Sequence, residues 1–422
     1  MTTANSPRSV YRLAILGILL LAAPLRATNG YLIHGVGTCA KGLAGAGVAL
    51  PQDALSPAVN PAGLAFLGER YDVGLAFFSP RREYTVSGDP SQFPGTFGLA
   101  PGTVESESEV FFVPDFGANW EIGANSHFGL SIYGQGGMNT DYPVATFYGS
   151  SPTGVDLSQM FIVPSYAYEV APGHALGINA IVAAQAFEAQ GLEAFGGFSQ
   201  DPLALSNNGH DQSFGFGARV GYLGQWSERF SFGASFQSEV RMQEFDDYAG
   251  LFAEGGGFDI PANWSVGFAI GLSDRLTLAA DVQEVYYSDV KSVGLPFANL
   301  FAAPLGADNG AGFGWEDMTI FKAGLLCELD EQWTLRFGVS VGDQPIPESE
   351  ILFNILAPGV MEEHFTAGFT RVLPSGRAFH MALLYAPSVN VAGPNPLEVP
   401  GLQTIELEMR QYELEIGYSW GF

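Results

Sequence analysis

The sequence predicts an all-β protein, a 14-stranded antiparallel transmembrane β-barrel plugged by a small N-terminal hatch. Three observations carry this prediction: apolar residues alternate with small or polar ones along most of the chain, the connectors alternate between short and long, and charge is scarce. Charged residues make up 14% of the 422 and aromatics 13%, with 54 Gly and 33 Phe, a composition too poor in charge for a soluble surface of this size. Beyond the N-terminus no apolar run approaches the roughly 20 residues of a helical span, so strands must do the spanning.

At the N-terminus, Arg8 and Arg12 precede an apolar core from Leu13 to Ala23, and Ala27 offers a cleavage site. This pattern predicts a signal peptide over 1–27, with Leu25 a poor fit two positions before the cut. A retained anchor helix is disfavoured by the short apolar run. Residues 28–69 follow as the predicted hatch, glycine-rich in Gly42-Leu43-Ala44-Gly45-Ala46-Gly47 and ending in Asn60-Pro61-Ala62-Gly63. Glycine disfavours a helix by about 1 kcal/mol relative to alanine, so such a segment keeps a shape only when packed inside something larger.

The barrel is predicted over 70–422. Phe214, Phe216, Ala218, Val220 and Tyr222 alternate with Ser213, Gly215, Gly217, Arg219 and Gly221. The same period of two runs through Trp264 to Leu272 and Trp333 to Gly342. The face opposite the apolar one is largely Gly and Ser, which suits a lumen approached closely by other chain. Short connectors fall near Gly123–Ser126, Ala171–His174, Trp226–Arg229, Ser273–Arg275, Asp330–Gln332 and Pro374–Gly376. Long ones fall near Gly88–Ser106, Gly134–Asp156, Gly191–His210, Asp246–Ile260, Asp289–Gly314, Asp343–Gly359 and Pro387–Thr404. Six short and seven long connectors imply 14 strands with both ends on the short-turn side. The last strand, with Tyr412, Leu414, Ile416, Tyr418, Trp420 and terminal Phe422 on one face, looks like an outer-membrane assembly signal.

A net charge of −27 excludes a nucleic-acid partner and is assigned to acidic loops and rims. The two cysteines, Cys39 and Cys327, are expected to stay unbridged, because alternation turns Cys327 outward. Two cysteines and six histidines without ligand spacing give no metal site, and no cofactor is implied. Gly37-Thr38-Cys39-Ala40-Lys41-Gly42 lacks the order of a phosphate loop.

The mature start Thr28-Asn29-Gly30-Tyr31, the Gly42–Gly47 run, Asn60-Pro61-Ala62-Gly63 and Phe78-Ser79-Pro80-Arg81-Arg82 together resemble the long-chain fatty acid transporter (FadL-type) family of outer-membrane proteins, which includes hydrocarbon uptake channels. Gly136-Gly137-Met138-Asn139-Thr140-Asp141-Tyr142 and the stretch from Asp343-Gln344-Pro345 to Ala357-Pro358 add to the resemblance, which spans the mature chain. It implies a hatch anchored by Asn60, Pro61 and Ala62, binding of a hydrophobic molecule at the extracellular loops, and sideways release beside a kinked strand. Glycine inside a strand marks a bulge or break, so Gly134, Gly136 and Gly137, after a third strand running from about His127 to Tyr133, are the expected lateral opening. It also implies a Gram-negative outer-membrane location among lipid and lipopolysaccharide, insertion by the barrel assembly machinery through Phe422, and a monomer.

Two further sets of residues are candidates for substrate contact. Leu295, Phe297, Leu300 and Phe301 form an apolar loop that either captures substrate or packs onto neighbouring loops. Arg219, Lys322 and Arg336 point inward by alternation; they either meet a substrate carboxylate or pair with Glu316, Glu328, Asp281 or hatch carbonyls. Ser340, His364 and His380 also face inward, and an outer-membrane lipid hydrolase is the rival they raise, but their spacing identifies no catalytic triad. A general porin or purely structural barrel is the other alternative. The expected function is therefore passive uptake of hydrophobic compounds, fatty acids or hydrocarbons, by a non-enzymatic channel.

Overall fold

The computed structural model describes residues 29–421. The predicted signal peptide and Phe422 lie outside the described residues. Fourteen long strands follow in order: β1 (Arg70–Ser87), β2 (Phe111–Gly123), β3 (Ser126–Tyr142), β4 (Thr153–Ala171), β5 (His174–Gln190), β6 (Asp211–Ser227), β7 (Phe230–Gln237), β8 (Asn263–Ser273), β9 (Leu276–Val285), β10 (Met318–Glu328), β11 (Trp333–Gly342), β12 (Glu363–Val372), β13 (Ala378–Pro394) and β14 (Thr404–Gly421). Each pairs antiparallel with the next, and β1 closes the sheet on β14 from Arg70↔Gly421 to Ser87↔Thr404. Two short strands, Gly102–Glu105 and Arg241–Met242, lie against β1 and β6 on the long-loop side.

The sheet closes because an open edge or unpaired backbone is not tolerated in lipid, and because its two faces have opposite chemistry. Phe216 is 69% exposed and Phe337 51%, whereas the alternating Ser213, Gln237, Ser340 and Glu415 are wholly buried. Cys327 faces outward as expected, Cys39 is buried, and both are free thiols.

The expected connectors hold, with three corrections, one being that the connector near Asp246–Ile260 begins eight residues earlier because β7 ends at Gln237. The connector near Gly134–Asp156 is mostly strand, since β3 runs on to Tyr142 and leaves only 143–152 as loop. The one near Pro387–Thr404 is likewise shortened, because β13 continues to Pro394. In both places a bulge interrupts the register, between Gly134 and Gly136 and between Ala386 and Val389, and the ladder resumes beyond it. A bulge inserts a residue and bends the strand without ending it, which residue type alone does not distinguish from a turn. Strands β7 to β12 have 8–11 residues, about the span of a membrane, while β1, β3 to β6, β13 and β14 have 17–19 and extend past it.

Candidate functional site

Residues 29–69 hold only short helical turns, Thr38–Lys41, Ser56–Ala58 and Pro61–Phe66, and touch inward side chains from most of the strands. Asn60 organises the last turn: its Oδ1 accepts from Ala62 N at 3.1 Å, while its Nδ2 donates to Val48 O at 2.8 Å and to Tyr222 O of β6 at 2.9 Å. The wall makes room by omission. A Cβ on Gly177 of β5 would fall 2.3 Å from Ala62 N, and one on Gly221 of β6 would fall 2.1 Å from Asn60 Oδ1. Pro61 pre-sets the backbone at the first position of the turn, leaving Asn60 as the group that bonds.

The middle of the segment is held by charge. Lys41 Nζ lies 2.6 Å from both Glu413 Oε1 and Glu415 Oε2 on β14, and Thr38 Oγ1 donates to Glu415 Oε1 at 2.7 Å. Burial opposes the ammonium charge, but the two glutamates outweigh it and keep Lys41 protonated above its ordinary range.

The start of the segment lies in the β3 bulge. Ile33 N donates to Gln135 O and Gly137 N donates to Tyr31 O, both at 3.0 Å, so Tyr31–Ile33 makes a short two-stranded contact with the bulged residues. Gly136 allows it: a Cβ there would sit 2.1 Å from Tyr31 O. The Tyr31 ring is enclosed by Phe258, Tyr287 and Trp315, with centroids 5.2–6.0 Å away. Gly134, Gly136 and Gly137 are thus brought together at a kink, and the N-terminal segment covers it from inside.

On the long-loop side an apolar cavity is lined by Val155 of β4, Phe187 of β5 and residues of four loops, among them Leu192, Phe195, Leu205, Phe252, Leu305, Phe313 and Phe353. None of Leu295, Phe297, Leu300 and Phe301 lines it. Phe297 and Leu300 are buried and Leu295 half-buried, with the Phe297 ring against Phe353 at 4.8 Å; only Phe301, at 67%, is exposed. The lining residues were missed because they come from separate loops. One signal was present: at this end of β4 and β5 the inward positions Leu157, Phe161, Val163, Ile181 and Phe187 are large and apolar, interrupted by Gln159 and Gln185, where a water-filled lumen would call for polar residues throughout.

Deeper lies a small polar cavity between the N-terminal segment (Ile33, His34, Val36, Val48, Val59) and Gln135, Arg219, Ser265, Asp281, Gln283 and Lys322 of the wall. The cations are already engaged. Arg219 donates to Val59 O at 2.8 Å and to Gln237 Oε1 at 2.5 Å, and Lys322 donates to His34 O at 3.1 Å. Arg336, on β11, donates to Gln52 Oε1 and Thr370 Oγ1, both at 2.7 Å. Asp281 Oδ2 accepts from Gly47 N and Val48 N. Burial, with His364, Lys41 and Lys322 close by, pushes the His34 imidazole well below its ordinary range, so the ring is neutral.

Ser340 Oγ lies 3.2 Å from His364 Nδ1, but the His364 ring stacks on His34, with no carboxylate among its hydrogen-bond partners. His380 contacts Cys39, Thr370 and Ser419. Among the described residues no group of His, Cys, Asp or Glu is arranged to hold a metal ion.

A family model for outer membrane protein transport proteins (OMPP1/FadL/TodX) matches residues 19–370. The chain belongs to this family. It is accordingly an outer-membrane β-barrel of a transport family, not of an enzyme family. A search of curated proteins finds no significant match. Among solved structures the barrel is similar to a Pseudomonas aeruginosa FadL homologue at 16% identity, TM-score 0.70, covering 93% of this chain and 100% of that one. It is also similar to the P. putida toluene transporter TodX, at 15% identity and TM-score 0.65, covering 92% and 99%. A third likeness is to the Ralstonia pickettii toluene transporter TbuX, at 17% identity and TM-score 0.62, with the same coverage. At these identities the likeness is one of fold, so substrate must be argued from the cavities.

Proposed function

We propose that this FadL-family chain takes up hydrophobic compounds, hydrocarbons or long-chain fatty acids, passively across the outer membrane. The observation that carries this reading is the loop cavity, whose walls offer a solute almost nothing but apolar side chains. A ligand the size of an aromatic side chain buries about 150–250 Å². At about 25 cal/mol per Å² this is worth roughly 4–6 kcal/mol before the cost of association, enough to capture a solute and weak enough to release it. The toluene transporters among the structural relatives fit the same chemistry.

In this reading residues 28–69 act as a hatch within the barrel of residues 70–422, anchored by Asn60, Pro61 and Ala62. The solute passes from the loop cavity into the lumen and leaves sideways at Gly134, Gly136 and Gly137. What supports the exit is the extra residue in β3, with a backbone contact from Tyr31–Ile33 that separates without breaking the ladder on either side. Uptake of toluene and of a long-chain fatty acid by cells expressing the chain tests both steps. Deletion of Gln135, which straightens β3, is expected to abolish uptake while the barrel still assembles. Asn60→Ala combined with Pro61→Ala is expected to alter the rate. Unchanged uptake in the deletion would overturn sideways release, and unchanged uptake in the double variant would overturn the hatch anchor.

A further inference from the structure

The polar cavity contains three buried polar atoms with no hydrogen-bond partner: Asp281 Oδ1, Gln283 Oε1 and His34 Nε2. Two of these can only accept, and the third, on a neutral imidazole, either donates or accepts according to its tautomer. An unpartnered buried acceptor costs about 1–3 kcal/mol, so an occupant that donates a hydrogen bond is favoured over one that does not. Around these atoms the wall is partly apolar, from Ile33, Val36, Val48 and Val59.

We infer that the compound accommodated in this cavity is a neutral hydroxylated hydrocarbon, a phenol or an alkanol, whose O–H donates to Asp281 or Gln283 and whose oxygen accepts from His34. This inference rests on the uptake reading and narrows its substrate class. A carboxylate fits poorly: it donates nothing, it places a second negative charge beside Asp281, and Arg219 and Lys322 already bond the backbone at Val59 and His34. A plain hydrocarbon leaves all three polar atoms unsatisfied. A hydroxyl supplies one donor, for Asp281 or Gln283, and lone pairs that accept from His34, so it satisfies two of the three atoms where a hydrocarbon satisfies none.

Toluene, p-cresol and p-toluate form a shape-matched series for the test, measured as equilibrium binding to the full-length protein in lipid nanodiscs against empty nanodiscs. The wild type is expected to bind p-cresol at least tenfold more tightly than p-toluate or toluene. Asp281→Asn keeps an oxygen for Gly47 N and Val48 N but presents an amide donor and no charge, and is expected to bring p-cresol and p-toluate within about threefold of each other. Gln283→Leu, which touches no hatch hydrogen bond, is expected to weaken p-cresol about fivefold relative to toluene. Heat-modifiable migration confirms that each barrel is folded. If p-cresol shows no preference over both analogues in the wild type, or keeps it in both variants, the cavity holds water only and the inference is overturned; toluene uptake by the same cells would leave the uptake reading standing. Absence of binding and uptake for all three would overturn both.

Discussion

Lys41 and Glu415 meet at 2.6 Å inside the lumen, joining a turn of the N-terminal segment to strand β14. Glu415 is fully buried and Glu413, the second partner of Lys41, nearly so. Removing one member of a buried ionic set typically costs about 3–5 kcal/mol, because the remaining charges lose their compensation. Lys41→Met is therefore expected to loosen the hatch by about that amount while the strand ladder stays paired. Hydrogen exchange in residues 38–48 should rise, and single-channel conductance in planar bilayers should increase. Conductance and exchange at wild-type levels would show that the backbone contacts alone seat the segment.

The glycines facing Asn60–Ala62 allow a complementary test made from the wall. Gly177→Ala places a methyl group 2.3 Å from Ala62 N, a contact the backbone cannot relieve by rotating a side chain. Overpacking of this kind costs about 1–3 kcal/mol. The barrel should still migrate as a folded species, with the hatch more open to protease than in the wild type. Gly197→Ala, in a loop where a Cβ meets nothing within 4 Å, is the matched control and should behave as the wild type.

Leu205 is 1% exposed and lines the loop cavity. Leu205→Asn introduces an amide with no partner into an apolar wall, at a cost of about 1–3 kcal/mol. Once the cavity rearranges or admits water to satisfy that amide, a purely apolar ligand is disfavoured. Toluene binding is expected to weaken about tenfold, equivalent to about 1.4 kcal/mol. Equal affinity in the variant would place the capture site elsewhere.

The loop from 238 to 262 carries an acid pair. Burial raises the Asp259 carboxyl, and burial together with Asp259 and other carboxylates raises Glu239. A carboxyl raised in the folded state contributes stability that is fully present below its unfolded pKa, near 4, and is lost as pH rises through the folded value. Loop 238–262 should therefore be tighter at pH 4 than at pH 7, seen as slower proteolysis by an acid-tolerant protease after correction for its own pH profile. Asp259→Asn, which can still accept from Met242 N, should flatten that difference.

Much of the barrel was legible because period-two alternation is a local signal and a lipid-facing strand must show it at every other residue. Phe214 to Tyr222 and Trp333 to Gly342 announce their outward faces within nine or ten positions. The bulges were not legible as bulges, since Gly134-Gln135-Gly136-Gly137 has the composition of a turn and only the partner strand, at Met160 and Gln159, shows that pairing resumes. The loop cavity depends on Leu192, Leu251, Leu305 and Phe353 converging from four loops, and no periodicity relates them. Inward orientation of Arg219, Lys322 and Arg336 followed from alternation, but their acceptors in the N-terminal segment lie 160 to 288 residues away in sequence and required the fold.

The hydrogen bond from Thr38 to Glu415 spans 377 positions, and the Lys41 contacts are of similar reach. The strand that receives them is the one that closes the ring against β1. The hatch thus cannot complete its seating until β14 is in place, whatever the order in which the other strands pair. Contacts this distant carry a large loop-closure cost and form late. Maturation of this channel is accordingly expected to finish in a single terminal event, in which sealing the wall and stoppering the lumen are one step, so that no long-lived open ring is left in the bacterial envelope.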